Sequence, residues 1–244
     1  MAADFGGKPW SWIHYVSVLS AKAANPGAEI LFWYEHEPSG PWWDATRPHF
    51  TLCPIEAPRQ IHGRPLVHPA HRADVLRLQL LEQYGGTYVD SDVWCLRPFP
   101  EPEACGFWMG RQGHNYGLCN ATMGANANAM FPALWLSRYK TFRSQGRDEY
   151  WDEHSVRLPL ELAHANPDLL TIYPPNAFFA PLWGRLRHIF SAPRPGRPRQ
   201  KFLGQSYSVH LWESICWGWL SRLSPRRIPA RSEIGTYLHE LGVL

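Results

Sequence analysis

Residues 71–99 read HRADVLRLQLLEQYGGTYVDSDVWCLRPF, and the change of periodicity within them governs how the rest of the chain is read. Ala73, Leu76, Leu80 and Tyr84 recur every three to four residues, the spacing of a helix face packed on a core. Gly85-Gly86 ends that helix. Thr87-Tyr88-Val89 is rich in β-branched and aromatic residues and predicts a short strand, which places Asp90-Ser91-Asp92 at the strand's end, where the chain meets solvent. Side chains two apart in extended backbone point the same way, so both carboxylates share one face and Ser91 turns away. Two such oxyanions repel unless a cation sits near them. Hard divalent ions such as Mg²⁺ or Mn²⁺ are held by one or two carboxylates plus substrate phosphates, which makes a nucleotide diphosphate the natural partner.

Working outward towards the N-terminus, Trp10 to Asn25 predicts a helix with Ile13, Val16 and Leu19 on one face, stopped by Asn25-Pro26-Gly27. Ala28–Tyr34 and His49–Ile55 read as strands, with Trp42-Trp43 in a loop between them. Met1–Pro9 is a turn-rich lead-in. Helix, strand, helix, strand with short connections is the order of an open α/β sheet, in which ligands bind beyond the carboxyl ends of the strands. Asp90 and Asp92 lie at such an end.

Towards the C-terminus, Gly106–Arg111 and Leu118–Gly124 read as further strands, the second interrupted by Asn120. Helices follow over Ala127–Arg143 and Asp152–Ala165, then a strand at Thr171–Tyr173. Arg185–Lys201 holds six basic residues, several prolines and no acid, and reads as an exposed irregular loop. A solvated loop is its plain reading; contact with acceptor phosphates or an anionic lipid surface is the alternative. In Ser206–Glu213, strand alternation puts Tyr207, Val209 and Leu211 on one face and Ser208, His210 and Trp212 on the other.

Composition narrows the classes. The chain of 244 residues fits one large α/β domain, residues 1–244, better than two small ones. The net charge of +3 argues against a nucleic-acid-binding protein, and the basic excess is local: ten Lys/Arg against three acids from Pro181 onward. Five scattered cysteines, odd in number and with no C-x-x-C pair, favour reduced thiols in a reducing, cytoplasmic compartment. No apolar run reaches the length of a membrane span, so the expectation is a soluble protein, at most peripheral at a membrane through the loop at 185–201.

The ordered set Ala73-Asp74-x-x-Arg77, Tyr84-Gly85-Gly86-x-Tyr88-x-Asp90-x-Asp92, then Leu96-x-Pro98-Phe99 resembles the sugar-binding region of DXD-containing glycosyltransferases. The likeness is to the initiating mannosyltransferases, α-1,4-galactosyltransferases and bacterial capsular enzymes. That resemblance implies a GT-A type, Rossmann-like domain with a mixed, mostly parallel sheet flanked by helices. It implies a nucleotide-sugar donor, UDP-sugars by default, a glycan or other hydroxyl acceptor, retention of anomeric configuration, and Mn²⁺ or Mg²⁺. Carried over by position, Asp90 and Asp92 hold metal and diphosphate, Arg77 aids catalysis, and Asp74, Arg77, Tyr88 and Asp90 bind donor. Asn120-Ala121-x-Met123-Gly124-Ala125 resembles the segment whose Asn faces the donor sugar, and His210-x-Trp212 the late element that completes the metal site, with Trp212 a wall of the sugar pocket. The resemblance also implies an opening strand upstream of Met1. Two other classes compete: a carbohydrate-binding or nucleotide-sugar-binding protein without turnover, and a Mg²⁺-dependent phosphohydrolase, whose D-x-D turn is usually followed by Thr where this chain has Val93.

Overall fold

The computed structural model describes residues 9–114, 116–193, 196 and 201–244. The expectation for Met1–Pro9 therefore falls almost wholly outside the described residues, as does part of the basic loop. In chain order the helices and strands are α1 (Trp12–Ala24), β1 (Leu31–Tyr34), α2 (Pro41–Thr46), β2 (Thr51–Pro54), β3 (Gln60–Ile61), β4 (Arg64–Pro65) and α3 (Pro69–Tyr84). Then come β5 (Gly86–Val89), β6 (Val93–Cys95), β7 (Phe107–Arg111), β8 (Leu118–Ala125), α4 (Met130–Arg138) and α5 (Leu158–Ala165). The chain closes with β9 (Thr171–Tyr173), α6 (Pro175–Phe178), β10 (Ser208–His210), α7 (Glu213–Leu220) and α8 (Glu233–Glu240).

The α/β class read from the sequence holds, but the sheet is not one mostly parallel layer. β5-β8-β7-β9 form a four-stranded sheet in which β5–β8 and β7–β8 are antiparallel and β7–β9 parallel. β1 and β2 pair in parallel separately, and β6 pairs antiparallel with β10. The physical reason lies in the sequence between β6 and β8. It carries no crossover helix, so β8 returns beside β5 and β7 in the opposite direction, as short connections require.

α3 carries the centre of the molecule. The His68 ring Nδ1 accepts a hydrogen bond from the Ala70 N–H at 3.1 Å, and Pro69 at the first helical position loses nothing by lacking an N–H. Gly85 ends the helix at φ +68°, where a Cβ would lie 2.6 Å from the backbone nitrogen of Ala127. The helix buries more than the predicted stripe. Val75, Leu78 and Leu81 enter the core shared with α4 and the four-stranded sheet, whereas Ala73, Leu76 and Leu80 pack in a small cluster with Ala57, and Tyr84 is exposed and tilts against Trp33. His71, Asp74 and Arg77 are buried as well, which a purely apolar reading of the face misses.

Other boundaries moved for local reasons. Trp42 and Trp43 are helical, because Pro41 opens α2 and Asp44 sits in its first turn. Asn120 does not interrupt β8; the β7 register jumps from Met109↔Met123 to Gly110↔Cys119, leaving residues 120–122 as a bulge beside Asp90. The helix expected at 127–143 ends at Arg138 in a 3₁₀ turn, and α5 is entered through a π-helical turn over Glu153–Arg157. Trp183–His188, the start of the expected basic loop, is a 3₁₀ helix.

Two apolar cores meet at the site. One gathers α1, β6, β10 and the C-terminal helices around Trp12, Trp94, Val209 and Leu211; the other gathers α3, α4 and the four-stranded sheet around Val75, Phe107, Met123 and Trp135. Among the described residues, no helix is long and apolar enough to cross a membrane. All five cysteines are free thiols.

Candidate active site and metal centre

The acids sit on a turn rather than on extended backbone. Val93 N–H donates to the Asp90 carbonyl at 3.1 Å, closing a β-turn over residues 90–93 that passes the chain from β5 to β6. The turn is held on both sides. Asp90 N–H donates to the Ala121 carbonyl at 2.8 Å, and Leu211 N–H donates to the Asp92 carbonyl at 3.0 Å. The sequence placed both carboxylates where the chain meets solvent; Asp92 is 6% exposed and Asp90 half-buried.

Each acid answers to a different set of neighbours. Asp90 Oδ1 accepts the Tyr88 hydroxyl at 2.6 Å and pairs with Arg77 Nη1 at 3.1 Å. Burial raises its pKa; the Arg77 charge opposes this and the neighbouring Asp92 adds to it, so the net shift is upward. Asp92 Oδ2 accepts the Glu213 N–H at 2.7 Å and lies 3.3 Å from His210 Nε2. Burial also pushes Asp92 up, but the imidazolium, its hydrogen bond and the Glu213 amide outweigh burial and hold the carboxyl at about 2. The same pair works on His210: burial lowers its pKa, and the Asp92 charge and hydrogen bond override that and raise it well above the usual imidazole value. Asp92 holds the negative charge of the site, and Asp90 is the acid that resists it.

Arg77 is the hub of a buried polar cluster. Its Nη1 donates to the Asn120 carbonyl at 2.8 Å, its Nε to the Ala73 carbonyl at 3.2 Å, and its Nη2 lies 3.5 Å from Asp74 Oδ1. Asn120 Nδ2 donates to Asp74 Oδ1 at 2.7 Å. Burial raises the Asp74 pKa, but the His71 hydrogen bond, the Arg77 charge and the Asn120 amide more than offset it, and the carboxyl stays low. Asp74 and Arg77 are therefore not the surface ion pair that their (i, i+3) spacing alone suggests; both are buried. The Arg77 guanidinium also lies 4.6 Å from the Tyr88 ring centroid.

The sequence-predicted residues come together. Asp90, Asp92 and His210 each offer a ligand atom within 4.8 Å of the others. Trp212 packs on His210 with ring centroids 4.2 Å apart, although it does not continue the strand as expected: its backbone is left-handed, φ +54°, where β10 gives way to α7. Two carboxylates and one imidazole suit a divalent ion; the nitrogen favours Mn²⁺ over Mg²⁺, which prefers oxygen alone. His210 Nδ1 is buried without a hydrogen-bond partner among the described residues, the Cys119 thiol being a polar neighbour of the ring. A divalent ion would replace the proton on His210 and relieve the repulsion between the acids, so the donor set fits.

Three residues of this region escaped sequence reasoning. Glu213 supplies the amide that holds Asp92, and its side chain pairs with His14 at 3.0 Å. His14 Nδ1 accepts the Ser11 N–H at 2.9 Å, which leaves Nε2 to carry the proton donated to Glu213. His71 Nε2 lies 3.0 Å from the buried Ser144 hydroxyl, with Nδ1 3.6 Å from Asp74. Glu213 follows the predicted H-x-W directly and was within reach; nothing local marks His14, whose partner is 199 residues away.

The chain is similar to known proteins over most of its length. The chain is 37% identical over 231 residues to the glucan organizing enzyme 1 of Cryptococcus neoformans var. grubii, a match covering 91% of this chain and 62% of that protein's length. A solved PaToxG glycosyltransferase is similar at 16% identity over 66% of this chain and 66% of its own, with a TM-score of 0.47. The resemblance read from residues 71–99 holds over a longer stretch, since residues 16–107 match the glycosyltransferase sugar-binding region containing the DXD motif.

Proposed function

We propose that this chain is a metal-dependent, retaining glycosyltransferase that moves a hexosyl group from a UDP-sugar to a glycan or other hydroxyl acceptor. The observation that carries this reading is the convergence of Asp90, Asp92 and His210 within 4.8 Å, alongside the buried Arg77–Asp74–Asn120 cluster. We read residues 1–244 as one domain of GT-A type working in a reducing, cytoplasmic compartment, which the free thiols support.

The chemistry needs negative charge stabilised as the diphosphate departs, and a divalent cation held by Asp90, Asp92 and His210 supplies Lewis-acid stabilisation of that charge. The protein's own part is preorganisation. Arg77, always cationic and buried, sets a positive potential beside Asp90, and three of its contacts keep it from moving. The Tyr88 hydroxyl fixes Asp90 Oδ1 in direction. Asp74, kept ionised in a buried setting, accepts hydrogen bonds from donor hydroxyls, and Asn120 orients it. Trp212 closes one side of the sugar pocket and excludes water. In a retaining transfer of this kind the departing diphosphate takes the acceptor's proton, so no side chain need act as base.

The name of the Cryptococcus relative supports a glucan as acceptor and a role in polysaccharide synthesis. The test is incubation of the protein with Mn²⁺ and a panel of labelled UDP-sugars, with and without chelator. We expect chelator-sensitive release of one sugar in water and its transfer when acceptor is added. Binding of donor without turnover, or cleavage of simple phosphate esters instead, would replace this reading with one of its two rivals.

A further inference from the structure

Thirteen tryptophans are present, and Trp183, 39% exposed, is the most exposed of them. More than a third of its surface meets water, whereas seven of the others are buried and the rest partly so, so its position is informative. Trp183 meets Trp212 edge to face, with ring centroids 5.2 Å apart at 75°. Trp212 in turn lies 4.2 Å from the His210 ring, and His210 Nε2 is 3.3 Å from Asp92. Rings thus step outward from the acid pair to the surface. The steps are rigid: the Trp212 indole N–H donates to the Pro181 carbonyl at 3.3 Å, tying the inner ring to the segment that bears the outer one. Arg185 N–H donates to the Leu182 carbonyl at 2.8 Å and Leu186 is fully buried, so Trp183 stands on an anchored 3₁₀ turn.

We propose that Trp183 is the acceptor platform: its exposed indole stacks a pyranose ring of the glycan that receives the sugar. The inference rests on the transferase reading and assigns the acceptor side of the same site. Asp74, Arg77 and Asn120, to which the transferase reading gives the donor, are buried on the α3 and β8 side. Trp183 is the end of the ladder open to solvent, where a chain of many sugar units lies without being threaded. A pyranose presents a face of C–H groups that an indole covers, which takes apolar surface of both out of water.

The experiment compares wild type, Trp183→Ala and Trp183→Phe in the full chain with Mn²⁺ and the UDP-sugar that the donor panel selects. The probes are maltohexaose, cellohexaose and laminarihexaose. For the preferred hexaose we expect Trp183→Ala to lower transfer at sub-saturating acceptor about tenfold more than it lowers donor hydrolysis in water, with Trp183→Phe recovering most of the difference. Equal losses of transfer and hydrolysis, or an acceptor KM like that of wild type, would overturn the platform. Hexaose binding followed by calorimetry, with no donor present, separates the two readings. If wild type turns over no donor yet binds a hexaose that Trp183→Ala does not, the stacking of a glycan on Trp183 stands and the transferase reading, with the acceptor role, falls. If wild type binds none of the three, the platform falls.

Discussion

Asp90 and Asp92 stand two residues apart, yet opposite halves of the molecule hold them. Asp90 belongs to the half built on α3 and the four-stranded sheet, where Arg77 and Tyr88 face it. Asp92 belongs to the half built on α1, β10 and α7, where His210 and the Glu213 amide face it. Burial works against both charges. The Asp92 partners overcome it and the Asp90 partners do not, so one pKa falls to about 2 and the other rises. The difference teaches that a D-x-D pair is not two equivalent ligands. One carboxylate is held ionised by its partners; the ionisation of the other is opposed by burial and by its acidic neighbour.

The largest effect that tests this comparison is on turnover. Asp90→Asn and Asp92→Asn should each lower metal-dependent donor turnover by about a thousandfold, since each removes a charge that orders the cation and the diphosphate. Retention of wild-type rate in either variant would remove that residue from the site.

Stability should separate the acids where turnover does not. In chelator at neutral pH, Asp92→Asn should cost roughly 3 kcal/mol, because it leaves a buried imidazole and the Glu213 amide without their charged partner. Asp90→Asn should cost less, since the lost pairing with Arg77 is offset by relief of the repulsion from Asp92. The sign with pH follows. A carboxyl with a depressed folded pKa stabilises above its unfolded value, about 3.9, and loses that contribution as pH falls through the folded value. For Asp92 the contribution is about 2 kcal/mol, so the gap between wild type and Asp92→Asn in denaturant melts should narrow between roughly pH 4 and pH 2. A gap that stays constant over that window would mean that Asp92 is not held ionised by His210.

The smallest effect sharpens the Asp90 side alone. Tyr88→Phe deletes the hydroxyl donated to Asp90 Oδ1 and should cost about 1 kcal/mol, with a fall of a few-fold in turnover. The acid limb set by Asp92 should be unchanged. If Tyr88→Phe moves that limb as well, the two halves are coupled more tightly than their separate contacts indicate.

What was legible in the sequence was local. The helix of residues 69–84, the double glycine, the strand of residues 86–89 and the D-x-D that follows are written in short-range periodicity and turn chemistry, and the structure has them in that order. The likeness to a sugar-binding region also came from that stretch, as did the identities of Asp74, Arg77, Asp90 and Asp92. His210 and Trp212 were reachable from a short late motif; His210 does reach the acids, and Trp212 packs against it.

Only the tertiary structure decided the rest. A sequence shows that two carboxylates are near each other, but their charge states depend on burial and on partners remote in the chain: His210 for Asp92, Arg77 for Asp90, and His14 behind Glu213. Strand direction was also beyond local reading, because alternation of side chains is the same in parallel and antiparallel pairs, and β8 lies antiparallel to both its neighbours. The same holds for exposure. Nothing in the composition distinguishes Trp183 from the twelve other tryptophans; the 3₁₀ turn that carries it leaves its ring the most exposed of them, against Trp212.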